Sequence, residues 1–269
     1  MARTAIDLAD RKATGSRREL ESRAATHRPR GFAAVLRTRG ADGGTAIIAE
    51  LKKASPSKGV LRQDYRPVEF GRAYELAGAA AISVLTDGPF FQGSLADLEG
   101  VSGAVGIPVL RKDFTLDEYQ ILEARAAGSD AVLLIVAAHM DARLRELGDV
   151  AAEMGLDVLC EVHDREELDR ATGLGFEVIG VNCRNLKTLE VHPEAHEELA
   201  KWMPKGVLRV AESGIGSHAD IVRLSGAGYG AFLVGETLMR TGDPGAAVRE
   251  LLRVPVMQGR EKREEEREG

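Results

Sequence analysis

The sequence predicts an α/β chain folded as a (β/α)8 barrel, the TIM-barrel class, with an N-terminal helical extension. Three observations carry this. From Ala46 onward, short apolar runs alternate with amphipathic segments eight times. Strands that alternate with helices imply parallel pairing through right-handed crossovers. Glycines fall where the helices should stop, and charged or amide residues recur at the carboxyl ends of the runs, the end at which a barrel gathers its active site. An open doubly wound sheet would need a strand order that alternation does not specify. Eight units fit a closed barrel of ordinary size.

Residues 1–45 are rich in Arg and Ala, and Ser16–Ala25 and Gly31–Arg39 have helical composition, with Phe32, Val35 and Leu36 as a packing stripe. They are assigned to an extension packed on the barrel. The barrel is assigned to 46–257. Its strands are expected at Ala46–Leu51, Ala80–Leu85, Pro108–Leu110, Ala131–Val136, Val158–Val162, Val178–Val181, Leu208–Ala211 and Ala231–Val234. Helices are expected at Pro67–Leu76, Leu95–Ala104, Leu116–Ala127, Asp141–Met154, Arg165–Thr172, Pro193–Trp202, His218–Ser225 and Pro244–Leu252. Ser94, Thr115, Asp164 and Ser217 read as caps, and Gly78, Gly128, Gly155 and Gly228 as stops. Residues 258–269 are Glu-Lys-Arg-rich and read as a frayed, solvated tail.

The 269 residues, 44% hydrophobic and 29% charged, suit one large domain or two small ones. No apolar run is long enough to span a bilayer, so no membrane partner is expected. Two cysteines form no disulfide framework, which points to a reducing cytoplasm. A net charge of −6 without a basic, aromatic-interleaved stripe argues against nucleic acid. An anionic small molecule stays open wherever lysines and arginines cluster.

In Ile47–Gly59, two-residue alternation puts Glu50 and Lys52 on the face shared with Ile48, and Ser-Pro-Ser-Lys-Gly then breaks the strand. The same parity turns Lys112, Glu161 and Asn182 into the barrel mouth, and Glu212 and Ser213 end the seventh strand. Two lysines, several glutamates and an asparagine converging on one mouth suit acid–base chemistry. The Gly-rich turns Glu212–Gly216 and Val234–Thr237 follow the seventh and eighth strands, where barrels build phosphate sites from backbone N–H groups, although glycines also serve tight βα turns. Arg184, with Lys53 or Lys58, is the candidate for local positive charge.

His163 shares the parity of Glu161 and is read as a rim residue. His139, His192, His196 and His218 carry no metal-ligand spacing, so no metal is expected. Cys160 and Cys183 should face outward under the helices as inert thiols. Phe90-Phe91 either lines an aromatic pocket or clasps the barrel.

These strand ends, in this order, resemble indole-3-glycerol-phosphate synthase of tryptophan biosynthesis. The motifs are Ile-Ala-Glu-Leu-Lys-Lys-Ala-Ser-Pro-Ser-Lys-Gly at 48–59, Leu-Arg-Lys-Asp-Phe at 110–114, Val-Ala-Glu-Ser-Gly-Ile at 210–215 and Phe-Leu-Val-Gly-Glu-Thr-Leu-Met-Arg at 232–240. The resemblance implies a barrel with an N-terminal helical segment. It also implies a carboxy-lyase that closes an indole ring on 1-(2-carboxyphenylamino)-1-deoxyribulose 5-phosphate, losing carbon dioxide and water, with no cofactor and no metal. It implies Lys112 as general acid on the ketone oxygen and Glu161 as acid–base partner in the dehydration, with Lys52 assisting. Glu50 and Asn182 would hold and polarise the reacting centre, and Glu212 and Ser213 would contact substrate. Gly214, Gly235 and Glu236 would offer N–H groups to the phosphate, with Lys52 and Arg184 nearby. Ser55, Pro56, Phe91, Phe114 and Leu133 would wall the aromatic ring. The expected partner is a small phosphorylated molecule, and the expected assembly is a monomer or weak homo-oligomer. Alternatives are a related isomerase, phosphoribosylanthranilate isomerase, a Schiff-base aldolase, and a non-catalytic phosphate-binding barrel. The isomerase would want Cys and Asp as its acid–base pair, where the first strand here offers Glu and Lys.

Overall fold

Eight parallel strands close into one barrel: β1 (Ala46–Leu51), β2 (Ala81–Leu85), β3 (Val109–Lys112), β4 (Ala131–Ile135), β5 (Asp157–Val162), β6 (Val178–Asn182), β7 (Leu208–Glu212) and β8 (Ala231–Val234). Each strand pairs with its neighbours in sequence, and β1 pairs with β8 through Ala46↔Ala231 to Ala49↔Val234. The computed structural model describes residues 2–41, 44–185 and 188–253, so the expected 258–269 tail lies outside the described residues.

Alternation along the strands builds two apolar layers. Outward residues such as Ile47, Ile82, Val132, Cys160, Ile179 and Phe232 pack under the helices. Inward residues such as Ala46, Ile48, Leu110, Leu133, Leu159, Val210 and Leu233 fill the barrel. Three helices precede the barrel: α1 (Ala2–Thr14), α2 (Arg17–Thr26) and α3 (Phe32–Gly40). The last of these stoppers the amino end. Its Phe32 and Leu36 are fully buried in the interior cluster, the Ala33 N–H donates to Asp157 at the start of β5, and Arg37 reaches the Glu177 and Gly206 carbonyls ahead of β6 and β7. Packing is therefore complete at that end, and the polar strand termini are left at the other.

The outer helices are α4 (Pro67–Leu76), α5 (Gly88–Phe91), α6 (Leu95–Ser102), α7 (Glu118–Ala126), α8 (Asp141–Glu153), α9 (Arg165–Gly173), α10 (Glu194–Ala200), α11 (His218–Gly226), α12 (Glu236–Arg240) and α13 (Pro244–Leu252). Ser94, Asp164 and Ser217 cap α6, α9 and α11 as expected, Ser217 through a reciprocal capping box with Asp220. Thr115 does not cap α7. Asp117 does, accepting from Tyr119 N, while the Thr115 hydroxyl is buried without a partner among the described residues. A carboxylate one residue before the helix is the stronger acceptor for its free N–H groups. The stops Gly78, Gly128, Gly155 and Gly228 all take positive φ. Strands β3, β6 and β7 run on to Lys112, Asn182 and Glu212, past the apolar runs that marked them. The ladder thus continues into the polar layer, and these side chains stand on strand backbone, not on loops.

Candidate active site

The carboxyl ends of the strands surround a cleft of about 1410 Å³. All sixteen sequence-nominated residues line it: Glu50, Lys52, Ser55, Pro56, Phe91, Lys112, Phe114, Leu133, Glu161, Asn182, Arg184, Glu212, Ser213, Gly214, Gly235 and Glu236. Lys58 lines it as well; Lys53 does not. A short hairpin, Ala54–Ser55 with Gly59–Val60, folds the β1 loop so that Ser55 and Pro56 reach the cleft. Phe90 and Phe91 both line the cleft, and Phe90 packs edge-on against Phe114, 6.4 Å between ring centres. The aromatic wall is therefore built from two loops.

At the floor, the Lys112 ammonium lies 2.6 Å from Glu161 Oε2 and 2.8 Å from Glu212 Oε2, and all three groups are buried. Burial alone would strip the lysine of its proton, but Glu161, Glu212 and Glu50 outweigh it and hold the group an ammonium at every physiological pH. Lys52 makes a separate pair with Glu50, 2.6 Å apart. The two carboxylates on Lys112 differ. Burial pushes both up, but Lys112 and His163 together bring Glu161 far below the carboxylate range. Glu212 shares the one lysine with Glu161, faces repulsion from Glu161 and Glu50, and is pushed up to about 7. Its Oε1 is buried with no hydrogen-bond partner among the described residues.

Glycine makes room for these carboxylates. A Cβ on Gly180 would collide with the Glu212 carboxylate, and one on Gly235 with that of Glu50. Gly180 sits on β6, beside the strand that carries Glu212, and Gly235 follows the end of β8, beside the strand that carries Glu50.

Around the phosphate-type turns, Ser213 adopts φ +67° and Gly214 φ +68°. A left-handed serine is a strained conformation that surrounding contacts must hold. Here the Ser213 hydroxyl donates to Asn182 Oδ1 at 2.8 Å, and the Arg184 N–H donates to the same oxygen at 3.0 Å. With Oδ1 so occupied, the Asn182 amide nitrogen is the group left to serve a ligand. Helix α12 starts at Glu236 on Gly235, so its first-turn N–H groups have no partner within the helix. The Arg184 guanidinium stands 3.8 Å from Glu236 and donates to the Leu189 carbonyl at 2.9 Å.

His163 is not at the rim. Its ring stands behind Glu161, outside the cleft lining, with 14% of the side chain exposed. The signal that could have placed it is Glu167, four residues on in an Asp-capped helix. Cys160 and Cys183 are buried, and burial pushes both thiols up, Cys183 to about 11, so neither is a thiolate near neutrality. Among the described residues, no helix is long and apolar enough to cross a membrane.

Two solved structures share this fold at low identity. Thiamine phosphate pyrophosphorylase from Pyrococcus furiosus is 16% identical, with a TM-score of 0.58, over 78% of this chain and 94% of that one. N-acetylmannosamine-6-phosphate 2-epimerase from Clostridium perfringens is 14% identical, with a TM-score of 0.58, over 78% and 93%. Sequence similarity goes further. An indole-3-glycerol phosphate synthase from Koribacter versatilis (strain Ellin345) is 58% identical over 249 residues, covering 93% of this chain and 95% of the relative. The profile of the indole-3-glycerol phosphate synthase family matches residues 1–251. The chain belongs to the indole-3-glycerol phosphate synthase family.

Proposed function

We propose that this cleft closes the indole ring of 1-(2-carboxyphenylamino)-1-deoxyribulose 5-phosphate, a carboxy-lyase reaction that releases carbon dioxide and water. The observation that carries the reading is Lys112, a buried ammonium held between Glu161 and Glu212 at the base of a cleft with an aromatic wall.

Attack of the carboxylate-bearing ring carbon on the ketone breaks aromaticity and builds negative charge on the ketone oxygen. Lys112 is the acid that protonates it, a step to which a positioned group contributes about 10²–10⁴-fold. The same charge environment disfavours a Schiff-base role, because an imine-forming lysine must be a free amine. Loss of carbon dioxide restores the ring. Departure of the hydroxyl then needs a proton donor, and the departing proton needs a base. Glu161 and Lys52 serve that dehydration, with Glu50 and Asn182 holding the reacting centre. Glu212 and Ser213 contact substrate. The phosphate takes the N–H groups of Gly214, Gly235 and Glu236, with Lys52 and Arg184 as its counter-charges. Ser55, Pro56, Phe91, Phe114 and Leu133 wall the anthranilate ring, so that the sugar chain is held folded back on it.

The test is turnover of this substrate in excess EDTA, followed by indole fluorescence, with Lys112→Ala beside it. Turnover that falls by about 10²–10⁴-fold in the variant is expected. Unchanged turnover in Lys112→Ala would remove lysine from the acid's role, and saturable binding with no turnover in either protein would mark a non-catalytic barrel.

A further inference from the structure

Two carboxylates of one kind touch one ammonium, and a difference between them has to come from a third group. Glu212 has Lys112 alone; Glu161 also has His163, whose Nε2 lies 3.3 Å from Glu161 Oε1, within ion-pair reach but off the line of a hydrogen bond. On the far side of the ring, Nδ1 lies 3.0 Å from Glu167 Oε2, and the His163 N–H donates to that same oxygen at 2.8 Å. Glu167 is itself fixed in the first turn of α9, where its N–H donates to the capping Asp164 at 2.9 Å.

This sandwich decides the state of the ring. Protonated on Nε2 alone, the imidazole would turn a lone pair toward Glu167. Protonated on Nδ1 alone, it would bring no positive charge to Glu161. Only the imidazolium both donates from Nδ1 to Glu167 and sets a positive charge beside Glu161, 3.3 Å from its Oε1. The charged groups that face the ring are Glu161 from β5 and Glu167 from α9, while Lys112 on β3 reaches it only through Glu161. Although burial opposes the charge, Glu161 and Glu167 override it and push the ring up to about 10.

We propose that His163 is a positioning residue, held as an imidazolium between Glu167 and Glu161, that keeps Glu161 a carboxylate while Lys112 gives up and regains its proton. When Lys112 passes a proton to the ketone oxygen, Glu161 loses its nearest cation. The imidazolium remains, so the proton moves to substrate and not onto Glu161. Among the described residues Glu212 has no such second cation, and it is the carboxylate free to carry a proton near neutrality. The chain Glu167–His163–Glu161–Lys112–Glu212 thus assigns unequal roles to the two glutamates on Lys112.

The proposal rests on Glu161 acting in the reaction, which Glu161→Gln tests separately: full turnover there would sink that role and the proposal with it. The proposal's own test begins with the unmodified protein, by following the His163 ring resonances from pH 6 to 8.5. Imidazolium shifts throughout are expected, and a titration midpoint below about 7 overturns the proposal. In Glu167→Gln the ring, short of one carboxylate, should titrate within that window, and kcat/KM should gain an alkaline limb at the same pH. In His163→Asn, kcat/KM should fall by about tenfold with its acid limb moved up by about one pH unit, as expected for a carboxylate losing a neighbouring cation. KM should stay within about twofold of the unmodified value. A uniform loss at all pH values, with the acid limb in place, would mean that His163 only packs against β5. If His163→Asn fails to fold, the ring titration in the unmodified protein and in Glu167→Gln decides alone.

Discussion

Glu161 and Glu212 end strands β5 and β7, and both accept from Lys112, yet the fold treats their charges differently. The Glu212 pKa lies near 7, above the ordinary carboxylate value, so its ionisation is opposed in the folded state. A group shifted this way contributes stability that is present at acid pH and lost as the pH rises through about 7. Glu212→Gln keeps the shape and an oxygen for Lys112 while removing the unfavourable charge. Its melting temperature should therefore exceed the unmodified protein's by more at pH 8 than at pH 5, each kcal/mol appearing as about 2–4 °C. Calorimetry at the two pH values checks it, and an equal shift at both would mean that Glu212 ionises without penalty. At this scale much was legible in the sequence. Parity in a strand is rigid, so Lys112, Glu161 and Asn182 could be aimed from their apolar neighbours alone. What parity cannot supply is the distance between strands. The sharing of Lys112, the pairing of Lys52 with Glu50 and the stacking of His163 behind Glu161 all needed the closed barrel.

Among the elements, the connection between α2 and α3 joins the extension to the barrel with Arg30 making most of the contacts, beside His27, whose Nε2 lies 3.2 Å from Asp130. Arg30 donates from Nε to Asp130, from Nη1 to the Ser102 and Val105 carbonyls, and from Nη2 to the Ser102 hydroxyl and the Gly128 carbonyl. Asp130 is fully buried at the foot of β4, where it also accepts from the Arg30 and Val109 N–H groups. A lysine carries the charge but not the planar fork. Arg30→Lys should therefore lower stability by about 1–3 kcal/mol, read as a lower urea midpoint with unchanged slope. An unmoved midpoint would mean that the Arg30 fork adds nothing to the hold of the extension on the barrel. None of this anchorage was visible in a segment of mixed Arg and Ala. The helix α1 was missed for a related reason: it is mostly exposed, Leu8 is the one large apolar side chain it buries among the described residues, and the rest of its hold is polar, through Arg11 with Glu123 and Lys12 with Asp117. Such contacts leave no apolar period to read. The short α5, Gly88–Phe91, is not among the expected helices, because Gly-Pro ahead of two phenylalanines signals a turn as much as a helix start; Asp87 caps it by accepting from Phe90 N.

For the molecule as a whole, charge makes an anionic substrate an unexpected guest. The chain carries a formal −6, and the described residues lining the cleft hold seven carboxylates against five cationic side chains. No long-range attraction of a phosphorylated carboxylate is expected from this balance, and in the function proposed above binding comes from contacts made after arrival: the backbone N–H groups at Gly214, Gly235 and Glu236, with Arg184 and Lys52 as counter-charges. Steered association falls steeply with ionic strength, because mobile ions screen charges beyond about 10 Å at 0.1 M. Association that is not steered has no such slope. Stopped-flow measurement of the association rate constant, using the fluorescence of the substrate's aromatic ring, should change by less than about threefold between 20 and 200 mM salt, with any trend upward as the net negative field is screened. Arg184→Ala should raise the dissociation rate and leave the association rate nearly unchanged, as contact charges do when they act after encounter. A tenfold fall in association with salt would show instead that Arg184, Lys52 and Lys58 project a positive field out of an acidic molecule. The cleft would then act as an electrostatic funnel and not as a set of short-range contacts.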